Sequence, residues 1–292
     1  MDEKRSIDGF GTVALAGFAT LLAFNQVVIK VTGDGFAPVF QAGLRSAIGF
    51  FVLLLWMGWR QGGSLTFNRS QHLWGFVSGL LFTFEFICMF IALDLSTVSR
   101  VSIFFYSMPV WLALVAHFAL PGERLTRGRA AGLMLAMAGV ALAMLDRAGG
   151  EASLAGDALA LAAAFGWGGI VLCVRMTPLA AVPPASQLIY QLLISAPILL
   201  LAAPLFGPVI REPEPLHYLA LIFQAVCIAS LGYMFWFWLV KIYRASAVAS
   251  FSFLSPVLAV IMGWLLLDEQ IGAPVWAALG LVTAGVILIN RK

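Results

Sequence analysis

Charge is scarce in this sequence. Of its 292 residues only 11% are Asp, Glu, Lys or Arg, less than half of the roughly 25% carried by a soluble domain. A water-facing surface cannot be made from so few charges, which excludes an ordinary globular protein. Cysteine and histidine are equally thin, at three each. Cys88, Cys173 and Cys227 stand inside apolar runs without metal-ligand spacing or a disulfide framework. His72, His117 and His217 fall near the ends of such runs, and no His-Glu-x-x-His occurs. Metal-dependent chemistry therefore has no pattern to rest on, and no cofactor is expected. A GxxxxGK[ST] loop is missing too, so ATP is not a direct energy source. No element gathers Lys and Arg into a patch, which excludes nucleic acid as a partner. The opening MDEKRSIDGFG mixes acids with bases and lacks a cleavable signal pattern, so the first span is expected to be retained.

What is present is apolar. Hydrophobic residues make up 62% of the chain, in runs near the ~20 residues that cross a hydrocarbon core. Breaks at charged or Gly/Pro-rich points give ten spans, at roughly 10–30, 36–58, 72–94, 97–119, 128–146, 155–175, 184–206, 216–240, 245–267 and 272–290. Backbone groups in lipid must pair within their own segment, so the spans are helices. The expected fold is an all-α polytopic membrane protein with ten transmembrane helices and the lipid bilayer as its solvent.

Lys and Arg set the orientation. Alternate connections from the N-terminus onward hold 12 of them against 4 in the opposite set, with Arg45 alone inside a span. Both termini are thus expected on the cytoplasmic side, in the inner membrane if the source is bacterial.

The chain also repeats. VSIFFYSMPVWLALVAHFALPGERL (101–125) parallels VASFSFLSPVLAVIMGWLLLDEQI (248–271), aligning Pro109 with Pro256 and Glu123 with Glu269. MAGVALAML pairs with TAGVILIN further on. Five spans per half, residues 1–147 and 148–292, make the second half enter from the opposite side. Inverted repeats of this kind are a signature of alternating-access carriers.

These features together resemble the EamA-type carriers of the drug/metabolite transporter superfamily over essentially the whole chain. The resemblance rests on the two Pro…Glu segments, the AGV close of spans five and ten, and Arg45 in span two. The family's Trp-Gly-x-Asn signature is split, with Asn25 matching in the first half and Trp167-Gly168 in the second. The wealth of Phe, Trp and Tyr is most similar to the bacterial exporters of amino acids, aromatic ones included. Export of an amino acid or similar small metabolite is what the resemblance implies. A nucleotide-sugar or sugar-phosphate exchanger would require several cavity cations, and only Arg45 is deep. An intramembrane enzyme would require a nucleophile–base pair or metal ligands at depth.

Within the spans, Glu85 is the isolated acid; Asp94, nine residues on, is its nearest charged neighbour. A buried carboxylate in a membrane is costly and tends to be paired or functional. Counting inward from the span ends at ~1.5 Å per residue puts Glu85 and Arg45 both about 13 Å below the outer surface. Two readings stand: a structural pair or hydrogen-bonded carboxyl, or a group that binds a substrate ammonium or carries a coupling proton. Met89 shares the Glu85 face of its helix. Phe86 and Met89 have Tyr233 and Trp236 as repeat counterparts, and with Asn25, Trp167, Tyr106 and Phe253 these aromatic and polar groups are the candidate substrate contacts. Pro109 and Pro256 are expected near mid-helix, as packing kinks or hinges. Gln187, Tyr190 and Gln191 form a stripe read as structural. Gly128, Gly132, Gly139, Gly280 and Gly285 mark spans five and ten as packing helices without substrate contact, and leave the protein as a monomer or a homodimer.

Overall fold

The computed structural model describes residues 8–61, 68–119, 126–145, 153–243 and 254–290. Glu123 and Phe253 lie outside these residues. Twelve α-helices run in order among the described residues. They are α1 (Gly9–Gly33), α2 (Pro38–Gln61), α3 (Arg69–Leu95), α4 (Val98–Phe105), α5 (Met108–Ala119) and α6 (Arg127–Leu145). There follow α7 (Leu154–Met176), α8 (Pro184–Ala202), α9 (Pro215–Phe223), α10 (Tyr233–Ile242), α11 (Leu254–Leu266) and α12 (Ala273–Asn290). A π-helical stretch, Gln224–Gly232, joins α9 to α10. Among the described residues the one β-bridge pairs Phe36 with Ile210.

Eight helical stretches are long and apolar enough to cross a membrane, with α4 and α5 counted as one, and two shorter apolar helices follow near the C-terminus. Among the described residues the fold is thus all-helical and of integral-membrane character, with eight stretches of spanning length and two shorter apolar helices against the ten spans expected from the sequence.

The helices gather into two compact units, each drawing on both halves of the chain. Unit one holds Met1–Val27, Ala92–Gly168 and Trp238–Lys292; unit two holds Val28–Ile91 and Gly169–Phe237.

In unit one, α6 and α12 pack along their lengths. Small residues make this possible. A Cβ placed on Gly132 would stand 2.7 Å from the Gly285 carbonyl oxygen, and one on Gly285 would stand 2.6 Å from that of Gly132. Gly139 is closed in the same way by the Ala278 carbonyl, at 2.8 Å. In a bilayer, where helices gain little from burying apolar area, such backbone approach supplies the attraction. Spans five and ten are packing helices, as the sequence implied. Replacing Gly132 by Ala is expected to force these backbones apart and cost about 1–3 kcal/mol. The fall in midpoint of detergent unfolding would measure it, and an unshifted midpoint would show the contact to be slack.

The segment α4 is held at its start by two buried acids. Glu269 accepts hydrogen bonds from the Val98 N–H (2.5 Å), the Ser99 N–H (2.9 Å) and the Ser99 hydroxyl (2.5 Å). Asp268 before it takes a left-handed backbone, φ 53°, a conformation Asp tolerates, at the turn that leads into the carboxylate. Arg100 then pairs with Asp157 on α7, Nη2 to Oδ2 at 2.5 Å and Nε to Oδ1 at 3.2 Å. The same Nη2 reaches the Ala143 carbonyl at the end of α6, at 2.6 Å.

At its other end α4 stops at Tyr106 and Ser107, and Pro109 is the second residue of α5. The expected mid-helix kink at Pro109 is instead a break followed by a fresh helix start. Proline disfavours the α conformation in the residue before it and is welcome in a first turn, where its missing N–H removes no bond. Pro256 lies near the beginning of the described part of α11.

In unit two, α2 packs on α8 and on the π-helical stretch. Gln41, Arg45 and Gly49, four residues apart, make one face of α2. Gln41 donates to the Gln224 amide oxygen (3.3 Å) and the Ile29 carbonyl (3.2 Å), while Gln224 donates to the Thr32 hydroxyl (2.9 Å). Further along, Gly49 admits Ala229, and the Ser230 hydroxyl donates to the Gly49 carbonyl at 3.4 Å. The α8 stripe is structural: Gln191 donates to Ser78, Gln187 to the Leu179 and Val182 carbonyls, and Tyr190 meets His72.

Candidate functional site

In unit two the deep charges come together. Arg45, on α2, is 5% exposed, and Glu85, on α3, is 8% exposed. The repeat of Phe at positions 82, 86 and 90 of α3 puts three rings on one helix face. Their centroids are 4.2 Å apart between Phe82 and Phe86 and 5.5 Å apart between Phe86 and Phe90. The Arg45 guanidinium lies over this stripe, 4.7 Å from the Phe86 centroid and 5.9 Å from that of Phe90. A cation over aromatic faces is a favourable arrangement, more so away from water. It leaves the guanidinium edge to find acceptors, yet Arg45 Nε is buried without one.

Glu85 and Tyr233 lie within electrostatic reach of Arg45. Arg100 and Asp157 form a direct ion pair; Arg45 and Glu85 are neighbours that do not clasp one another. Met89 is buried one turn beyond Glu85. Tyr233 and Trp236, in the first turn of α10, are half-buried.

In unit one the break after α4 turns its aromatic residues against α7. The Phe105 ring stacks on Trp167 at 5.0 Å with planes 17° apart, and Tyr106 meets the same indole edge-on at 6.2 Å. Gly168 beside it is open enough that a Cβ would touch only Met108, at 3.7 Å. The Ser107 hydroxyl donates to the Phe104 carbonyl (2.5 Å) and accepts from the Trp111 indole (2.9 Å). On α1, Gln26 accepts from the Ser102 hydroxyl at 3.0 Å. Its neighbour Asn25 is 7% exposed, and its Oδ1 is buried without a donor.

The residues singled out in the sequence thus form two sets: Arg45, Glu85, Met89, Tyr233 and Trp236 in unit two, and Asn25, Tyr106 and Trp167 in unit one. Sequence reasoning missed two polar centres, Arg100–Asp157 and Glu269. Arg100 and Asp157 each looked like an ordinary connection charge at the end of a span. The available signal was that Val98, Ser99 and Arg100 begin a helix whose first turn holds no acid of its own. Among the described residues no group of three or more His, Cys, Asp or Glu side chains is placed to hold a metal.

A model of the EamA-like transporter family matches residues 9–145 and again 154–291. Two relatives from Bacillus subtilis (strain 168) align with most of the chain. The uncharacterized transporter YvbV is 27% identical over 261 residues, 87% of this chain and 83% of its own. The uncharacterized transporter YoaV is 24% identical over 274 residues, 91% of each. The aromatic amino acid exporter YddG of Ancylobacter novellus is 30% identical over 141 residues, 48% of each chain. One solved crystal structure shares the fold, with a TM-score of 0.66 at 22% identity over 94% of this chain and 95% of its own.

Proposed function

The chain belongs to the EamA-like transporter family, and we propose that it is a secondary carrier exporting amino acids, aromatic and neutral ones included, by alternating access. The observation that carries this reading is the buried Arg45–Glu85 neighbourhood on its stripe of phenyl rings. Charged groups inside a membrane bundle face the protein interior and mark substrate or ion paths. An apolar wall with a few polar groups at fixed points suits an amphipathic organic solute.

The twofold family match supports a repeat of two five-helix halves, residues 1–147 and 148–292, inverted in the membrane with both termini cytoplasmic. The likeness to a protein named as an aromatic amino acid exporter supports the substrate class and a bacterial inner-membrane setting. In this reading Asn25, Tyr106 and Trp167 are substrate contacts of unit one, Phe253 is a further contact, and Pro109 and Pro256 act as hinges. For Pro109 the interrupted backbone after α4 supports that role, since a helix break is a soft point about which segments rotate.

Purified protein in liposomes tests the function. Saturable counterflow of labelled phenylalanine is expected, together with movement of other neutral amino acids and none of a hexose phosphate. Hexose-phosphate flux without amino-acid flux would replace this reading with a phosphate exchanger.

A further inference from the structure

We propose that Arg45 and Glu85 form a receptor for a zwitterion, the guanidinium taking the substrate's α-carboxylate and the Glu85 carboxylate its α-ammonium. The inference rests on the transport reading above and deepens it by naming the head group that is recognised.

Three observations in unit two point there. Arg45 is buried with its Nε lacking a hydrogen-bond partner, although a guanidinium offers five donors that burial obliges to be used. Its face already lies over Phe86 and Phe90, so its edge is what remains, and a carboxylate fits such an edge with two parallel bonds. The acid beside it is not that partner. Glu85 is within electrostatic reach, but it does not hold Arg45 as Asp157 holds Arg100, by two bonds to one carboxylate. The Arg45–Glu85 neighbourhood therefore presents two opposite charges that a third group can bridge. Finally, Phe82, Phe86, Phe90 and Met89 make the surroundings of the two charges apolar.

Charge balance makes the receptor selective. With Arg45 cationic and Glu85 anionic the site is neutral, and a zwitterion keeps it so. The decarboxylated amine would leave one net positive charge buried and the deaminated acid one net negative charge, and uncompensated charge in a low-dielectric interior is strongly disfavoured. The same arithmetic predicts reciprocal switching. Glu85→Gln leaves a cationic site, which a simple carboxylate neutralises; Arg45→Gln leaves an anionic site, which a simple amine neutralises.

The experiment is competition against labelled phenylalanine counterflow in liposomes, using phenylalanine, phenethylamine, 3-phenylpropionate, N-acetylphenylalanine and phenylalanine methyl ester. For the wild-type protein each of the four altered compounds is expected to compete at least about tenfold more weakly than phenylalanine, the range for losing one charge-assisted bond. E85Q is expected to turn the order toward 3-phenylpropionate, and R45Q toward phenethylamine. Equal competition by all five compounds in the wild-type protein overturns the receptor, whatever the variants do. So does an unchanged order in folded E85Q and R45Q, since a purely structural pair would lower activity without re-ranking ligands. Absence of any phenylalanine counterflow in the wild-type protein instead overturns the transport reading on which the receptor depends.

Discussion

Replacing Asp157 with Ala is expected to lower the stability of the protein by about 3–5 kcal/mol, the usual consequence of removing one partner of a buried ion pair. Asp157 is fully buried and the Arg100 side chain 6% exposed. Two of the guanidinium's donors end on this carboxylate, and the Ser96 hydroxyl donates to it at 3.4 Å. Without the acid, a buried cation is left without its charged partner, beside the Ala143 carbonyl and Ser96. The double replacement of Arg100 and Asp157 by Leu is expected to recover most of the loss, because an apolar pair of similar volume carries no desolvation penalty. Unfolding in detergent, followed by tryptophan fluorescence, measures both. A single variant as stable as the wild-type protein would mean that the pair contributes nothing to the anchoring of α4.

Glu269→Ala is expected to cost about 2–4 kcal/mol, since three donors then lose a charged acceptor and two of them are backbone N–H groups buried at a helix start. The carboxylate also sits at the positive end of the α4 dipole, where a negative charge is favourable. Ser99→Ala removes a single bond and is expected to cost about 1 kcal/mol. Amide hydrogen exchange adds a local readout: protection across Val98–Phe105 should fall in the Glu269 variant while α6 and α12 keep theirs. Uniform loss across all three helices would show that Glu269 supports the whole unit rather than α4. Gly263 belongs to the same device, because a Cβ there would stand 2.5 Å from Glu269 Oε2.

The apolar class, the helical spans and the packing role of the glycine-rich fifth and tenth spans were all legible in the sequence. They follow from composition and local spacing, which lipid turns into strong constraints. Arg45 and Glu85 were legible as a deep pair for the same reason, since a charge inside an apolar run is conspicuous. Their relation was not: residue counting places two groups at one depth, but whether they clasp or stand apart depends on side-chain direction, and here Arg45 lies flat over Phe86. Pro109 was read as a kink because the flanking run is continuously apolar; hydropathy does not record that the helix stops at Tyr106 and begins again. Arg100, Asp157 and Glu269 escaped because charges near span ends look solvated from the sequence. Only tertiary folding carries residues 57 and 170 positions apart into hydrogen-bonding distance.

The π-helical turns of Gln224–Gly232 have an effect on how the internal duplication is to be understood. Their counterpart by letter, the middle of α3, is unbroken α-helix. A π-helical turn holds more residues than an α-helical one, so successive side chains are spaced differently around the axis. Phe86 and Tyr233, matched in the alignment, therefore follow different backbones, regular α-helix before the one and π-helix before the other. The two copies thus differ in backbone immediately before the aromatic run that opens α10, where one keeps a regular helical bore and the other a wider one.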